Sequence, residues 1–330
     1  MKRHISVRSE TWRCHAPFRI ANLSADDFLL IVCAIEQAGV TGRGEALGIY
    51  YFDETPASMA DQIRGIEDEL AAGADRQRLL ELLPFGGARF AVDSALWDLE
   101  AQLDGTSVWE TIGVDESPVE TMFTIGLEAE PEEMAVKAAA AQDYSLLKIK
   151  LDADRPVERV RAIRDTRPGS RLVVDINQGW NFEQLRAFAP ELHALDVLII
   201  EQPLPRGEDA ALEVYESPVT LCADESCLHL GELETAAGRY PMINIKLDKA
   251  GGLTHALALA KAARDKGIRI MAGSMGGTSL SMAPAHVLAK FCELADIDGP
   301  LLIGDDRPGG LLYSGGTVAL PPRGFWGQPR

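Results

Sequence analysis

Leu146-Leu147-Lys148-Ile149-Lys150 opens a series that returns at nearly even intervals as Leu172-Val173-Val174-Asp175, Leu198-Ile199-Ile200-Glu201, Leu221-Cys222-Ala223-Asp224 and Ile243-Asn244-Ile245-Lys246. Each member is a short apolar run that ends in a charge, and the charged ends are 25, 26, 23 and 22 residues apart. A helical stretch follows each run, so one period holds one strand and one helix. Thr121-Met122-Phe123-Thr124 precedes the series, and Ile268-Arg269-Ile270-Met271 and Leu294-Ala295-Asp296-Ile297-Asp298 extend it. Eight such strands predict a (β/α) TIM-like barrel of the α/β class. An open doubly wound sheet would want a glycine-rich dinucleotide loop after its first strand, and none stands there.

The residues before the series have a different pattern. His4 to Cys14 alternates loosely, Phe28 to Ile35 is a continuous apolar run, and Gly42-Arg43-Gly44-Glu45-Ala46 is expected to turn into a third strand. Thr55-Pro56 predicts a helix start, N-cap then first helical position, and the helical pattern continues to about Ala72. A second helix is expected from about Ala88 to Leu103, stopped by Asp104-Gly105. Strands followed by helices indicate an α+β unit over residues 1–115. The barrel then occupies 116–310, and a segment over 311–330 contains a returning hairpin from Leu311 to Leu320.

Composition narrows the class of partner. The chain has 330 residues, with 50 Asp and Glu against 32 Lys and Arg, a net charge of −18 and a pI near 4.8. Phosphate-rich partners need a basic footprint, so nucleic acid and anionic membrane surfaces are excluded as expected partners. No apolar run approaches the ~20 residues of a membrane span. Met1-Lys2-Arg3-His4-Ile5-Ser6 lacks an apolar signal core, which makes cytoplasmic the expected location. Five scattered cysteines with no CxxC argue against a disulfide framework or a zinc site. Lysine is scarce, at nine residues, so lysines set in apolar segments require a reason.

In a barrel the C-terminal ends of the strands share one mouth. The series therefore brings Lys148, Lys150, Asp175, Glu201, Asp224, Lys246, Asp296 and Asp298 towards one region. Carboxylates on three adjacent strands repel unless a cation joins them, and Mg²⁺ suits a few carboxylates with water and substrate. Lys148 and Lys150, two residues apart on a strand, project to one face. Lys246 comes from four strands further round. Ammonium groups on opposite sides of a bound carboxylate suit proton removal from one face and return to the other. Burial lowers a lysine pKa and neighbouring carboxylates raise it, so the net direction is left open.

Lys148-Ile149-Lys150, Asp175-Ile176-Asn177, Glu201-Gln202-Pro203, Ala223-Asp224-Glu225-Ser226 and Asn244 to Gly252 together resemble the muconate-lactonizing subgroup of the enolase superfamily. The resemblance spans nearly the whole chain, including the helix around Ala95-Leu96-Trp97-Asp98-Leu99, and makes the N-terminal unit a capping domain. It implies that Asp175, Glu201 and Asp224 bind Mg²⁺, that Lys150 and Lys246 are the acid/base pair, and that Lys148 stabilises an enediolate. A proton α to a carboxylate is very weakly acidic, which is why such chemistry needs a Lewis acid. Ile270 to Ser274 contains no histidine, which disfavours a mandelate-racemase-like His base.

Asp296-Ile297-Asp298-Gly299-Pro300 is similar to the Asp-x-Asp element of dipeptide epimerases, whose carboxylates hold the substrate's α-ammonium. The implied activity is a Mg²⁺-dependent isomerase that inverts the α-carbon of a dipeptide's C-terminal residue. The alternatives are a muconate-type cycloisomerase, an N-acylamino-acid racemase, an o-succinylbenzoate synthase or a non-catalytic small-molecule binding protein. Two capping loops would read the side chain. Asn22-Leu23 follows Pro17 to Ala21 where members acting on Ala-Glu tend to show an Arg, which argues against a strong L-Ala-L-Glu preference unless Arg19 substitutes. Ile49 to Glu54, with Tyr50 and Phe52, is aromatic and then acidic, which suits an apolar or cationic side chain. Gly273 to Gly277, with Ser274, reads as an anion-binding loop or a tight turn. A homo-oligomer is compatible with the composition, and the oligomeric state stays open.

Overall fold

A computed structural model describes residues 2–20 and 23–330 of the chain, so the departure at Asn22 lies outside the described residues. The N-terminal lobe begins with an antiparallel sheet of β1 (His4–Ile20), β2 (Leu23–Gln37) and β3 (Val40–Leu47), in that order. The apolar run of β2 buries Leu30, Ile31, Val32, Cys33 and Ile35 completely. Gly42 and Gly44 lie inside β3, whereas the sequence suggested a turn there; the turn falls at Ala38-Gly39. Their role is close packing. A Cβ on Gly42 would meet Ala95 O at 2.2 Å, and one on Gly44 would meet Ala91 O at 2.1 Å. Only glycine lets this strand lie directly on the backbone of the facing helix.

Five helices follow: α1 (Pro56–Gly65), α2 (Glu67–Ala72), α3 (Arg76–Leu82), α4 (Gly87–Asp104) and α5 (Val108–Ile112). Thr55 caps α1 in a reciprocal box with Ser58, with bonds of 3.1 and 2.9 Å. The single helix expected to Ala72 is broken at Ile66, which leaves helical φ/ψ and caps both pieces. Helix α4 buries almost every residue between the β-sheet and the barrel and ends at left-handed Gly105.

After the short strand β4 (Val119–Glu120) comes the parallel sheet: β5 (Phe123–Ile125), β6 (Leu146–Lys150), β7 (Arg171–Asp175), β8 (Val197–Glu201), β9 (Thr220–Ala223), β10 (Met242–Lys246), β11 (Arg269–Gly273) and β12 (Leu294–Ala295). The strands pair in chain order, and Met122 N–H donates to Ala295 O at 2.9 Å to join the first to the last. The eight strands and their order match the repeat in the sequence, and the N-terminal lobe caps the barrel they form. The eighth strand stops at Ala295, so Asp296 and Asp298 stand in the loop beyond it.

Helices α6 (Pro131–Ala140), α7 (Pro156–Thr166) and α8 (Phe182–Ala194) cover the first crossovers, and a 3₁₀ turn, Ala210–Val214, serves the next. The remaining helices are α9 (Leu233–Ala237), α10 (Leu247–Ala250), α11 (Leu253–Asp265), α12 (Ser279–Ala289) and α13 (Gly299–Leu302). The hairpin expected near the C-terminus is β13 (Tyr313–Ser314) and β14 (Thr317–Val318), which pairs with β4. Among the described residues no helix is long and apolar enough to cross a membrane.

The interior of the barrel is layered. Met122, Leu146, Val173, Ile199, Cys222, Met242 and Met271 form one buried apolar cluster, with Leu294 packed against it. Side chains two residues further along a strand share its face, so the next layer is Thr124, Lys148, Asp175, Glu201, Asp224, Asn244, Gly273 and Asp296. The strand alternation thus turns an apolar plug into a polar floor within two residues.

Polar contacts fix the N-terminal lobe over that mouth. Glu45, fully buried, accepts from Thr278 N–H (2.8 Å) and pairs with Arg307 (2.5 Å). Arg89 on α4 donates to the carbonyls of Ala250 (2.7 Å) and Gly251 (3.0 Å). The C-terminal residues reach the same helix, where Trp326 Nε1 donates to Ser94 O and Gly327 N–H to Asp98, both at 2.9 Å.

Candidate active site

The polar floor is a chain of alternating charges. Lys148, 1% exposed, places Nζ 2.7 Å from Asp296 Oδ2, 2.7 Å from Glu201 Oε2 and 3.0 Å from Asp175 Oδ2. Lys150 Nζ meets the same Asp175 oxygen at 2.5 Å and Asn177 Oδ1 at 3.3 Å. Lys246 Nζ donates to Asp224 Oδ2 at 2.6 Å. These lysines project inwards because the β6 and β10 register puts positions 148, 150 and 246 on the inner face.

Burial opposes the charged form of Lys148, yet Asp175, Asp296, Glu201 and Asp224 outweigh it and raise its pKa well above the ordinary lysine value. Lys246 is raised in the same way: burial pulls it down, and Asp224, Glu201 and Glu225 together outweigh it. For Asp175 and Asp224, burial pushes upward, but the ammonium groups around them prevail and hold both below the usual carboxylate range. Glu201 goes the other way, because burial and the neighbouring Asp175 together exceed the pull of Lys148.

Several side chains brace this floor and were not assigned roles from the sequence. Lys249, fully buried on α10, donates to Asp224 Oδ1 (2.5 Å), Asp224 O (2.6 Å), Asn244 O (3.0 Å) and Cys227 O (3.4 Å). The two Asp224 oxygens are therefore divided between Lys246 and Lys249. Asn244 Nδ2 donates to Glu201 Oε1 at 2.7 Å, and a Cβ on Gly273 would collide with Asn244 Oδ1 at 2.4 Å. Gln202 Oε1 accepts from the backbone of Asp224 and of Ser226, each at 2.9 Å, and so sets the turn after β9. Lysine scarcity is the signal that could have pointed to Lys249, which stands three residues beyond Lys246. Nothing local marks Gln202 or Asn244.

Above the floor lies a cavity of about 310 Å³ between barrel and N-terminal lobe. Lys148, Lys150, Lys246, Asp296, Asp298, Ser274, Tyr50, Glu225 and Asn177 all line it, so most of the residues singled out in the sequence are brought together. Asp175, Glu201 and Asp224 lie beneath, at most 1% exposed. Asp298 Oδ2 accepts from Thr124 N–H at 2.7 Å, and burial beside Asp296 pushes its pKa up to about 7. Glu225 is raised to about 8 by burial and then by Asp224, and its Oε2 is a buried oxygen with no hydrogen-bond partner. Ser274 Oγ donates to Asp296 O at 3.3 Å, which makes its loop a brace for the eighth-strand turn.

Two expected contact residues are elsewhere. Arg19 does not line the cavity; its side chain is 53% exposed and faces Glu128 at 3.7 Å. Phe52 also lies off the cavity, packed against Tyr51 (5.2 Å between centroids) and Phe85 (5.7 Å). The reason is the 3₁₀ turn Tyr50–Phe52, which rotates adjacent rings apart, so that Tyr50 and Tyr51 face the cavity and Phe52 does not.

The carboxylate series invites a cation. Among the described residues no group of three or more His, Cys, Asp and Glu side chains stands ready to hold a metal ion as placed, because ammonium groups occupy the space between them. The donor set still fits a hard divalent cation. It offers three buried carboxylates on adjacent strands, with Glu225 Oε2 and Asn244 Oδ1 beside them as buried oxygens without a partner.

Residues 2–113 match the mandelate racemase / muconate lactonizing enzyme N-terminal domain, and residues 131–324 match the enolase C-terminal domain-like family. The chain is 40% identical over 321 residues to the L-Ala-D/L-Glu epimerase of Escherichia coli strain K12, covering 96% of this chain and all of that one. An enolase family member from Agrobacterium tumefaciens with homology to dipeptide epimerases, solved with sodium and L-Ala-L-Glu, superposes with a TM-score of 0.96 at 39% identity, covering 98% of this chain and 100% of that one. A dipeptide epimerase from Methylococcus capsulatus, complexed with Mg and L-Arg-D-Lys, gives 0.90 at 30% identity, with 98% of each chain covered.

Proposed function

This chain belongs to the mandelate racemase / muconate lactonizing enzyme family, and on that premise we propose that it is a Mg²⁺-dependent dipeptide epimerase acting on the α-carbon of the C-terminal residue. The observation that carries the reading is one cavity lined by Lys148, Lys150 and Lys246 together with Asp296 and Asp298. A zwitterionic dipeptide complements that set, its carboxylate towards the ammonium groups and its α-ammonium towards the two aspartates. An N-acylated amino acid has no ammonium to offer Asp296 and Asp298.

Asp175, Glu201 and Asp224 would hold Mg²⁺, which when bound supplies Lewis-acid stabilisation to a carboxylate losing its α-proton. Lys150 and Lys246 reach the cavity from strands four places apart and would take a proton from one side and return one to the other. Use of a different lysine for each transfer is what inverts the centre. Lys246 can accept a proton only when neutral, and withdrawing Asp224 from it removes the contact that now keeps it charged. Lys148, buried and positive, opposes the negative charge that develops on the substrate carboxylate.

The test is exchange of the substrate α-proton in D₂O, followed by mass spectrometry across dipeptides, with Mg²⁺ and then with a chelator. Exchange should appear with Mg²⁺ and vanish with the chelator. Asp298→Asn should lower kcat/KM for dipeptides by about 100-fold, the order of a lost charge-assisted contact. Full activity in that variant would sink the ammonium-binding role.

A further inference from the structure

The floor of the cavity is densely charged and its roof is mostly apolar. With the substrate carboxylate at the lysines and its α-ammonium at Asp296 and Asp298, the C-terminal side chain has the N-terminal lobe left to face. That wall is made by Phe18, Ile20, Phe28, Leu29, Leu47 and Tyr50. Among the described residues no Lys, Arg or His of the N-terminal lobe lines the cavity. Two acids line it from this lobe among the described residues, Asp27 and Glu54. Arg19 faces Glu128 instead.

We propose that the preferred substrates of this chain carry an uncharged apolar side chain on the C-terminal residue, and that Glu or Asp there is disfavoured; the inference rests on the dipeptide-epimerase reading. A side-chain carboxylate entering this wall would give up water and find no donor of positive charge in exchange. The acids do not make the wall a cation reader. Glu54 is committed to the backbone, accepting from Ile49 N–H at 3.0 Å and Gly87 N–H at 3.0 Å, and Asp27 is exposed at the rim. What the wall does offer is unpaid apolar surface, since Leu29 is 50% exposed and Tyr50 is 37% exposed while both line the cavity. An apolar side chain covers them, which is the gain that distinguishes it from a charged one.

The experiment measures kcat/KM for α-proton exchange by the full chain with Mg²⁺ on L-Ala-L-Leu, L-Ala-L-Phe, L-Ala-L-Glu and L-Ala-L-Lys. The Leu and Phe dipeptides should exceed the Glu and Lys dipeptides by about tenfold or more, the scale on which an apolar pocket discriminates. Leu29→Arg, which places a cation on the wall, should move the Glu-to-Leu ratio at least about tenfold towards Glu. Equal or faster turnover of the Glu or Lys dipeptide by the unmodified chain overturns the inference while leaving the epimerase reading standing. Loss of Glu turnover in Arg19→Ala, with Leu turnover kept, overturns it as well, by showing that Arg19 reads the side chain. No exchange with any of the four overturns the epimerase reading and this inference with it.

Discussion

Two layers of side chains fill the barrel from the same eight strands, and two residues of chain separate them. The lower layer, Met122 to Met271, is apolar and in mutual contact; the upper one holds Lys148, Asp175, Glu201, Asp224 and Asp296. Both are buried almost completely. The lower layer gains from leaving water, at roughly 25 cal/mol per Å² of apolar surface. The upper one loses hydration of every charge and recovers it only through pairing, which is at best near break-even for stability. An arrangement that costs stability and persists at the mouth of a barrel is the expected mark of a reactive site. The two layers should therefore respond to substitution in opposite ways.

The largest effect is expected at Lys246→Ala, which should cut epimerisation by about 10²–10⁴-fold, the usual contribution of a positioned acid or base, while the far-ultraviolet circular dichroism stays unchanged. A variant within about threefold of the parent rate would exclude Lys246 from proton transfer. Lys249→Met removes a buried cation from Asp224 and one donor from each of three carbonyls, so urea unfolding should show a loss of about 3–5 kcal/mol. An unchanged midpoint would mean that Asp224 does not depend on Lys249. Ile199→Ala, in the lower layer, should cost about 2–5 kcal/mol and spare the rate of the folded enzyme. If it instead removes activity without loss of stability, the division between layers fails.

A last effect concerns pH. Asp248, fully buried and accepting from Leu47 N–H at 3.2 Å, has its pKa pushed up to about 7 by burial. The folded state then binds a proton that the unfolded state releases near the ordinary value of about 3.9. Its contribution to stability is complete below that value and is lost as the pH rises towards 7. Asp248→Asn should flatten the decline between about pH 4 and 7 by up to about 1.4 kcal/mol per pH unit. Parallel stability curves for parent and variant would show that Asp248 is not the source.

Legibility in the sequence followed the range of the forces involved. The strand series, the Thr55 cap, helix α4 and the C-terminal hairpin are local patterns, and all appear where expected to within a few residues. The glycines of β3 were misread as a turn because the helix backbone that demands them is some 50 residues away in sequence. The break at Ile66 carries no strong punctuation and was missed; helix α3 was missed although Gly73 closes the helix before it and Asp75 caps its start. At the site, Lys150 and Lys246 were legible because strand alternation dictates which way they point. Arg19 and Phe52 were not, since the ion pair with Glu128 and the packing against Phe85 depend on segments far along the chain.

By itself, then, the sequence determined the order of strands and which side chains face inwards, because a period of two residues and a repeat of about 25 are properties of the chain alone. Tertiary structure decided how the charges are shared: Asp224 between Lys246 and Lys249, and Asp175 between Lys148 and Lys150. It also decided which capping residues reach the cavity. Both follow from contacts between segments distant in sequence, and the strength of a buried charge pair depends on distances and dehydration that no local pattern encodes.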